Sequence, residues 1–272
     1  MSKFKYYFLL FLLLMTVPVW WGVWEIKKPG EFRVIFFDVG QGDSIFIKDR
    51  KQHQILIDGG EGRTVLSRLG RVMPFFDRSL DLVILTHPDK DHLDGILEVL
   101  KKYQVNQVFY TGIAENSASY QEFLKILGEK KIKIAFPFSG QKLHLADGAR
   151  LNFLSPSEDV TGKKFKDTNQ TSFVIRLVNG EKEYLFTGDA GIDVETKLIK
   201  NNVYLRSDIL KIGHHGSKNS TSENFLKAVS PRQAVISVGE NKYGHPSPEV
   251  LGRLDKLGIE ISRTDEKGNI EY

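Results

Sequence analysis

LDLVILTHPDKDHLDG, residues 80–95, is the stretch whose reading decides the fold. It opens as an apolar run of strand length, and from Thr86 onward packs two histidines and three carboxylates into ten positions. In extended backbone, positions two apart face the same way, so His87, Asp89 and Asp91 share a side. His92 follows as a helix begins near Leu93. Pro88 has no N–H and disfavours helix before it, which keeps His87 extended. Gly95 allows another element to approach the first helical turn closely. The same residues could serve only as favourable charge at a helix N-terminus. The rest of the chain decides between these readings.

Working outward, FRVIFFDV and DSIFIK flank Gly40 and Gly42, and HQILIDGG follows, a pattern that reads as a β-meander. TVLSRLG reads as a short helix. LDGILEVLKKY carries apolar residues at 93, 96, 97, 100 and 103, a helical stripe. Strand QVFY, helix SYQEFLKIL and strand IKIAF come next. QKLHL and ARLNFLSP form a hairpin around ADG, and a second hairpin turns at Asn179-Gly180. The remainder alternates: helix near 191–200, strand DILKIG, helix 222–229, strand QAVISVG, helix 247–257 and strand IEIS. A meander followed by β/α units, twice over, predicts an α/β fold of two facing sheets with helices outside, an αββα sandwich.

Three more predicted strands end in ligand-type residues. YLFTGDAG ends in Asp189, whose two carboxylate oxygens suit a bridge between metals roughly 3.5–4 Å apart. DILKIGHHGS ends in His214 and His215, and VGENKYGHPS places His245 after the next strand, although its Pro-Ser-Pro setting also suits a helix cap. His144 and His53 sit beside polar turns and read as structural or surface residues.

The chain has 272 residues and no cysteine, so disulfides and thiolate metal sites are excluded. Of its net charge of +4, the first thirty residues supply +3 through four lysines against one glutamate, leaving the remainder at +1. Charge alone therefore gives no argument for nucleic acid. Residues 6–24 contain no charged group, and nineteen residues at 1.5 Å each span roughly 28 Å, near a bilayer's hydrocarbon thickness. They end in tryptophans suited to the interface and lack a small-residue cleavage site. The expected organisation is a membrane anchor (or uncleaved signal) and linker at 1–28, a single transmembrane helix, followed by one domain at 29–272. The expected location is the cell membrane, with the domain extracytoplasmic.

Taken together, FFDVGQGDS, ILIDGG, LTHPDKDHLDG, TGD, LKIGHHGS and YGHPS resemble, in order, the metallo-β-lactamase superfamily, and within it the ComEC/Rec2 competence-protein type of domain. The resemblance implies a hydrolytic site with two divalent metal ions, Zn²⁺ or Mn²⁺. His87 and Asp89 would hold one and Asp91 and His92 the other, with Asp189 bridging. His215 joins the second ion, with His214 as the fallback. Asp38, Gln41 and Asp43 fall in the family's first glycine-flanked hairpin, near the metals, and Asp58 resembles a carboxylate that orients a histidine ligand. Asp38 and Asp58 also suit a purely structural reading as turn residues. Asp91, His214 and His245 are the expected catalytic side chains. Asp43, Asn169, Ser172 and His245 are the expected substrate contacts, Asn169 and Ser172 through DTNQTS at 167–172. Much of the superfamily has histidine where Asp89 stands; an oxygen-rich first site suits Mn²⁺.

The implied activity is a membrane-anchored phosphodiesterase or nuclease acting on single-stranded DNA in DNA uptake. The family's multi-span channel is missing here, so a separate channel protein would be its partner. A cell-surface phosphoesterase, for example one acting on phosphocholine, is the alternative enzyme reading. A catalytically degenerate binding domain is the third.

Overall fold

The apolar runs become two seven-stranded sheets stacked face to face. The structure, a computed structural model, describes residues 3–27 and 30–272. Its elements begin with α1 (Lys3–Lys27), the meander β1 (Arg33–Phe36), β2 (Ile45–Lys48) and β3 (Gln54–Ile57), and α2 (Thr64–Val72). There follow β4 (Ser79–Ile84), α3 (Lys90–Lys102), β5 (Gln104–Phe109), α4 (Ala118–Glu129) and β6 (Lys133–Ala135). The second half comprises β7 (Lys142–His144), β8 (Arg150–Ser155), β9 (Val174–Asn179), β10 (Lys182–Phe186) and α5 (Ile192–Lys200). It closes with β11 (Ile209–Lys211), α6 (Glu223–Val229), β12 (Gln233–Ile236), α7 (Pro248–Lys256), β13 (Glu260–Arg263) and β14 (Ile270–Glu271).

The first sheet runs β14-β1-β2-β3-β4-β5-β6 and the second β13-β12-β11-β10-β9-β8-β7. In each, antiparallel strands give way to parallel ones, from β3 in the first sheet and from β10 in the second. Alternation along the strands builds three apolar layers. Val34, Phe36, Leu82 and Ile84 meet Phe153, Phe173, Ile175 and Phe186 between the sheets. Ile35, Val83, Leu93 and Phe123 pack the first sheet against its helices, and Leu185, Leu210, Leu226 and Leu254 pack the second. The αββα sandwich expected from the sequence is the fold observed.

Two expectations change. The strand β14 was not anticipated, because two residues carry no readable periodicity. Helix α3 starts at Lys90 with Asp89 at its N-cap, three residues before the expected start. Asp91 therefore lies in the first helical turn, out of the extended line assumed for His87, Asp89 and Asp91. Carboxylates near a helix N-terminus favour that earlier start.

The expected transmembrane span is not supported. Helix α1 forms and contains Pro18, but among the described residues no helix is long and apolar enough to cross a membrane. Its exposed apolar side chains, among those described, run from Phe4 to Trp20. Residues 28–29 of the expected linker, and the side chains of Trp21 and Trp24, lie outside the described residues.

Candidate metal centre

Parallel strands point their carboxyl ends the same way, and the ends of β3, β4, β10 and β11 converge at one edge of the sandwich. Strand β3 runs into Asp58, whose φ of +56° lies in the left-handed region that aspartate tolerates better than most residues. Its buried carboxylate accepts the Thr86 amide at 2.8 Å through Oδ1 and the Thr86 hydroxyl at 2.7 Å through Oδ2. His92 Nδ1 lies 2.8 Å from the same Oδ2. A carboxylate only accepts, so this nitrogen carries a proton and, in the neutral ring, Nε2 keeps its lone pair.

The same device recurs twice. The Thr86 hydroxyl, its proton directed at Asp58, lies 3.1 Å from His87 Nδ1, and His215 Nδ1 donates to the Ser237 carbonyl at 2.8 Å. Three imidazoles are thus anchored through Nδ1 and present Nε2 toward Asp189. His92 Nε2 is 3.3 Å from Asp189 Oδ1; His215 Nε2 is 3.3 Å from Asp189 Oδ2 and 3.2 Å from Asp91 Oδ2. The Nε2 atoms of His87, His92 and His215, with Asp189 Oδ1, are buried and make no hydrogen bond. Buried polar atoms left unpaired cost about 1–3 kcal/mol each, so four in one place call for a cation.

The residues fit such a group. Donor atoms of His87, His92 and Asp189 lie within 4.8 Å of one another, as do those of Asp91, His92 and His215. Charge points the same way. The elements of the site carry five aspartates, Asp43, Asp58, Asp89, Asp91 and Asp189, and a fully buried ammonium, that of Lys211. Lys211 donates to the Gly188 carbonyl at 2.9 Å, pairs closely with Asp43 and lies 3.8 Å from Asp189 Oδ1. Burial pulls the His92 and His215 rings down, but the carboxylates beside them outweigh it; His92 is raised well above 6.5 and His215 to about 10. His87 goes the other way, to about 4, through burial and then the neighbouring His92.

Backbone close approach makes the convergence possible. A Cβ on Gly95 would overlap the Gly59 carbonyl, and one on Gly42 would overlap the carbonyl of Asp91. His214 and His215 both have positive φ, 47° and 53°, a sparsely populated conformation for histidine of the kind that concentrates at functional sites.

Not every expected residue faces the same space. A cleft of about 800 Å³ opens over the cluster, lined by Gln41, Asp89, Asp91, Asp189, His214, His215, Tyr243 and His245 among others. Asp89 stands outside both donor groups, 3.8 Å from His87 Nε2, with its Oδ1 taken by the Thr168 hydroxyl. His214 is about a third exposed and 3.9 Å from Asp189, at the rim where His215 is central. His245 lines the cleft with a buried, unpartnered Nδ1. The cap of α7 is Ser247, whose hydroxyl accepts the Val250 amide, so His245 is free of that duty.

Asp43 and Ser172, expected to touch substrate, are buried behind the cleft instead. Lys211 holds Asp43, and Ser172 Oγ accepts the Asp189 amide at 3.2 Å. Both sit where they position other groups, because strand β11 and the turn after β10 cover them. Asn169 is half-buried in the turn at Thr168–Thr171, its Oδ1 buried without a partner, and does not line the cleft. Asp38 proves structural: Arg68 grips both its side chain and its carbonyl. Sequence reasoning missed Thr86 and Lys211. A lone lysine inside the apolar run DILKIG was the available signal.

The family profile described as "Metallo-beta-lactamase superfamily" matches residues 37–240. The chain belongs to that superfamily of metal-dependent hydrolases and is related to competence proteins. It is 31% identical over 265 residues to ComE operon protein 3 of Bacillus subtilis (strain 168), covering 91% of this chain and 33% of that protein. Against Competence protein ComA of Neisseria gonorrhoeae it is 34% identical over 254 residues, covering 91% and 33%. The chain thus spans about a third of the length of these relatives. Among solved structures, the metallo-beta-lactamase fold protein YhfI from Bacillus subtilis superposes with a TM-score of 0.60 at 14% identity, over 89% of this chain and 100% of that one.

Proposed function

We propose that this chain is a membrane-attached, two-metal phosphodiesterase that cuts single-stranded DNA during DNA uptake, working with a separate channel protein. The observation that carries the hydrolytic part is the set of three anchored imidazoles whose unpaired Nε2 atoms face Asp189. His87 and Asp89 would hold one divalent ion, Asp91, His92 and His215 the other, and Asp189 both; Zn²⁺ and Mn²⁺ suit this mixture of imidazole and carboxylate. Bound divalent ions supply Lewis acidity, lowering the pKa of a water and offsetting charge that grows on a phosphoryl oxygen.

The remaining steps belong to side chains of the cleft. His214 and His245, with ring centroids 5.6 Å apart, sit at the rim where a leaving oxygen would depart. His245 is held below the usual imidazole range by burial and then by His214 and His215, which favours its neutral form and with it a proton acceptor's role. Asp91, in the first turn of α3, would tie that helix to the second ion.

The DNA reading draws on the competence proteins among the relatives and on the form of the cleft. Its mouth carries Lys242, Glu240, Lys90 in a close pair with Glu61, and the exposed Tyr243, whose ring centroid lies 5.8 Å from that of His245. Cations beside stacking rings suit a strand of nucleotides. Residues 1–28 would attach the chain to a membrane, where the exposed apolar side chains of α1 are covered, and 29–272 would form the hydrolase domain on the extracytoplasmic side.

The test is to assay the full chain with Zn²⁺ or Mn²⁺ on single-stranded DNA and on bis(p-nitrophenyl) phosphate. Asp189→Ala and His92→Ala should abolish turnover of both. Cleavage of the small diester with DNA untouched under either metal would replace the nuclease by an envelope phosphoesterase. Metal binding without any turnover would leave a binding domain.

A further inference from the structure

The end of the sandwich opposite the metal cluster is built from the starts of β4 and β5, the β2–β3 turn and the last turns of α2, α3 and α4. Three features meet there that the site does not use. Phe75 and Phe76, in the turn between α2 and β4, are 86% and 67% exposed and pack edge-to-face at 5.3 Å. Arg71, Arg78, Lys102 and Lys131, in segments at this same end, are exposed. The chain also enters at this end. Gly30 donates its amide to the Arg50 carbonyl at 2.9 Å in the β2–β3 turn, and Gln54 at the foot of that turn donates to Asp77 at 2.6 Å. Three residue steps of at most about 3.6 Å put Lys27, the last residue of α1, within about 11 Å of Gly30.

Asp77 accepts from Ser79 and Gln54, and Glu98 pairs with Arg63 and Lys101. Among the described residues Arg71, Arg78, Lys102 and Lys131 enter no salt bridge, and they share this end with an aromatic pair that covers no core.

We propose that this end is a docking surface for a lipid bilayer bearing anionic headgroups. Phe75 and Phe76 enter the interfacial region, where aromatic side chains are favoured, and the surrounding Arg and Lys meet the headgroups. The apolar helix and the Phe pair then engage one surface. The six residues of β4 hold the metal cleft about 20 Å further from it, open side outward. This inference rests on the membrane attachment proposed above.

Because the chain has no cysteine, Phe76→Cys and Tyr243→Cys each give a single labelling position in the full chain. Each is labelled with the environment-sensitive fluorophore NBD and mixed with vesicles of phosphatidylcholine containing phosphatidylglycerol and a doxyl-labelled lipid. Flotation of the chain with the vesicles is read alongside emission. The expected result is flotation, a blue shift and several-fold quenching at position 76, none at 243, and weaker quenching at 76 when phosphatidylglycerol is left out. Flotation with position 76 as unquenched as 243 would overturn the docking surface while leaving membrane attachment standing. Absence of flotation would overturn both. Phe75→Ser with Phe76→Ser supplies the second arm: vesicle affinity should fall several-fold with an unchanged near-UV circular dichroism spectrum, and unchanged affinity would count against the surface.

Discussion

Replacing Asp58 by asparagine changes one atom type in the metal centre and tests how the imidazoles are aimed. Asparagine keeps an acceptor for the Thr86 amide but puts an NH₂ where Oδ2 now meets the Thr86 hydroxyl and His92 Nδ1. The hydroxyl can rotate and accept. His92 cannot do both of its tasks. Either its proton moves to Nε2, which removes the lone pair an ion needs, or two donors face each other at a buried position. One unmade hydrogen bond there costs about 1–3 kcal/mol. At about 1.4 kcal/mol per tenfold, that is a roughly 5- to 150-fold loss of metal affinity, the range of about 10–100-fold typical for outer partners of metal ligands. The measurement is titration calorimetry of Zn²⁺ into wild type and Asp58→Asn, with chelator competition if binding is too tight. Wild-type affinity in a folded Asp58→Asn protein would refute the claim that this carboxylate sets the His92 tautomer.

Other perturbations reach different parts of the same assembly. Lys211→Met strips Asp43 of its buried partner, which costs about 3–5 kcal/mol; for a domain of this size a melting temperature roughly 6–20 °C lower follows, partly restored by added Zn²⁺, and an unchanged melt would show that Lys211 carries no such load. In the metal-free protein His215 is raised from 6.5 to about 10, so its charged form adds stability that is whole below pH 6.5 and lost as pH climbs through about 10. An ion needs that ring neutral, so binding near pH 8 should expel protons and tighten with pH; equal calorimetric heats in phosphate and Tris would contradict this. Gly95→Ala drives a methyl into the Gly59 carbonyl and should cost about 1–3 kcal/mol, as overpacking does, together with metal affinity, because α3 carries Asp91 and His92; thermal melts and zinc titration read both.

The sequence made the architecture legible because period-2 and period-3.6 runs alternate cleanly, and each strand that matters stops at a residue with an unusual side chain. Lengths were less readable. Strand β14 has two residues, and the start of α3 depended on how Asp89 and Asp91 balance against Pro88. In the metal centre, side chains in one local run were visible together. The links between runs were not: Asp58 to Thr86 and His92, Lys211 to Asp43, and Ser172 to the Asp189 amide join segments far apart in the chain. Asp43 and Ser172 are misread for this reason, since burial behind the cleft is a property of neighbours that local sequence does not contain.

The competing account of residues 86–95, carboxylates serving a helix end, can be decided from what those carboxylates hold. Where this fold caps a helix with a side chain it does so plainly: Ser222 accepts the Phe225 amide and Ser247 the Val250 amide. Asp89 stands at the N-cap of α3 and makes no such bond; its carboxylate is turned to the Thr168 hydroxyl, with His87 Nε2 3.8 Å away. Asp91, in the first turn, reaches His215 from the opposite sheet at 3.2 Å. A capping bond contributes typically about 1 kcal/mol, and the helix forgoes it at the position best placed to make it. In its place it sets an aspartate beside a buried imidazole whose lone pair has no donor to meet. Such an arrangement lowers free energy once a cation lies between the groups, and a helix cap gives no account of it.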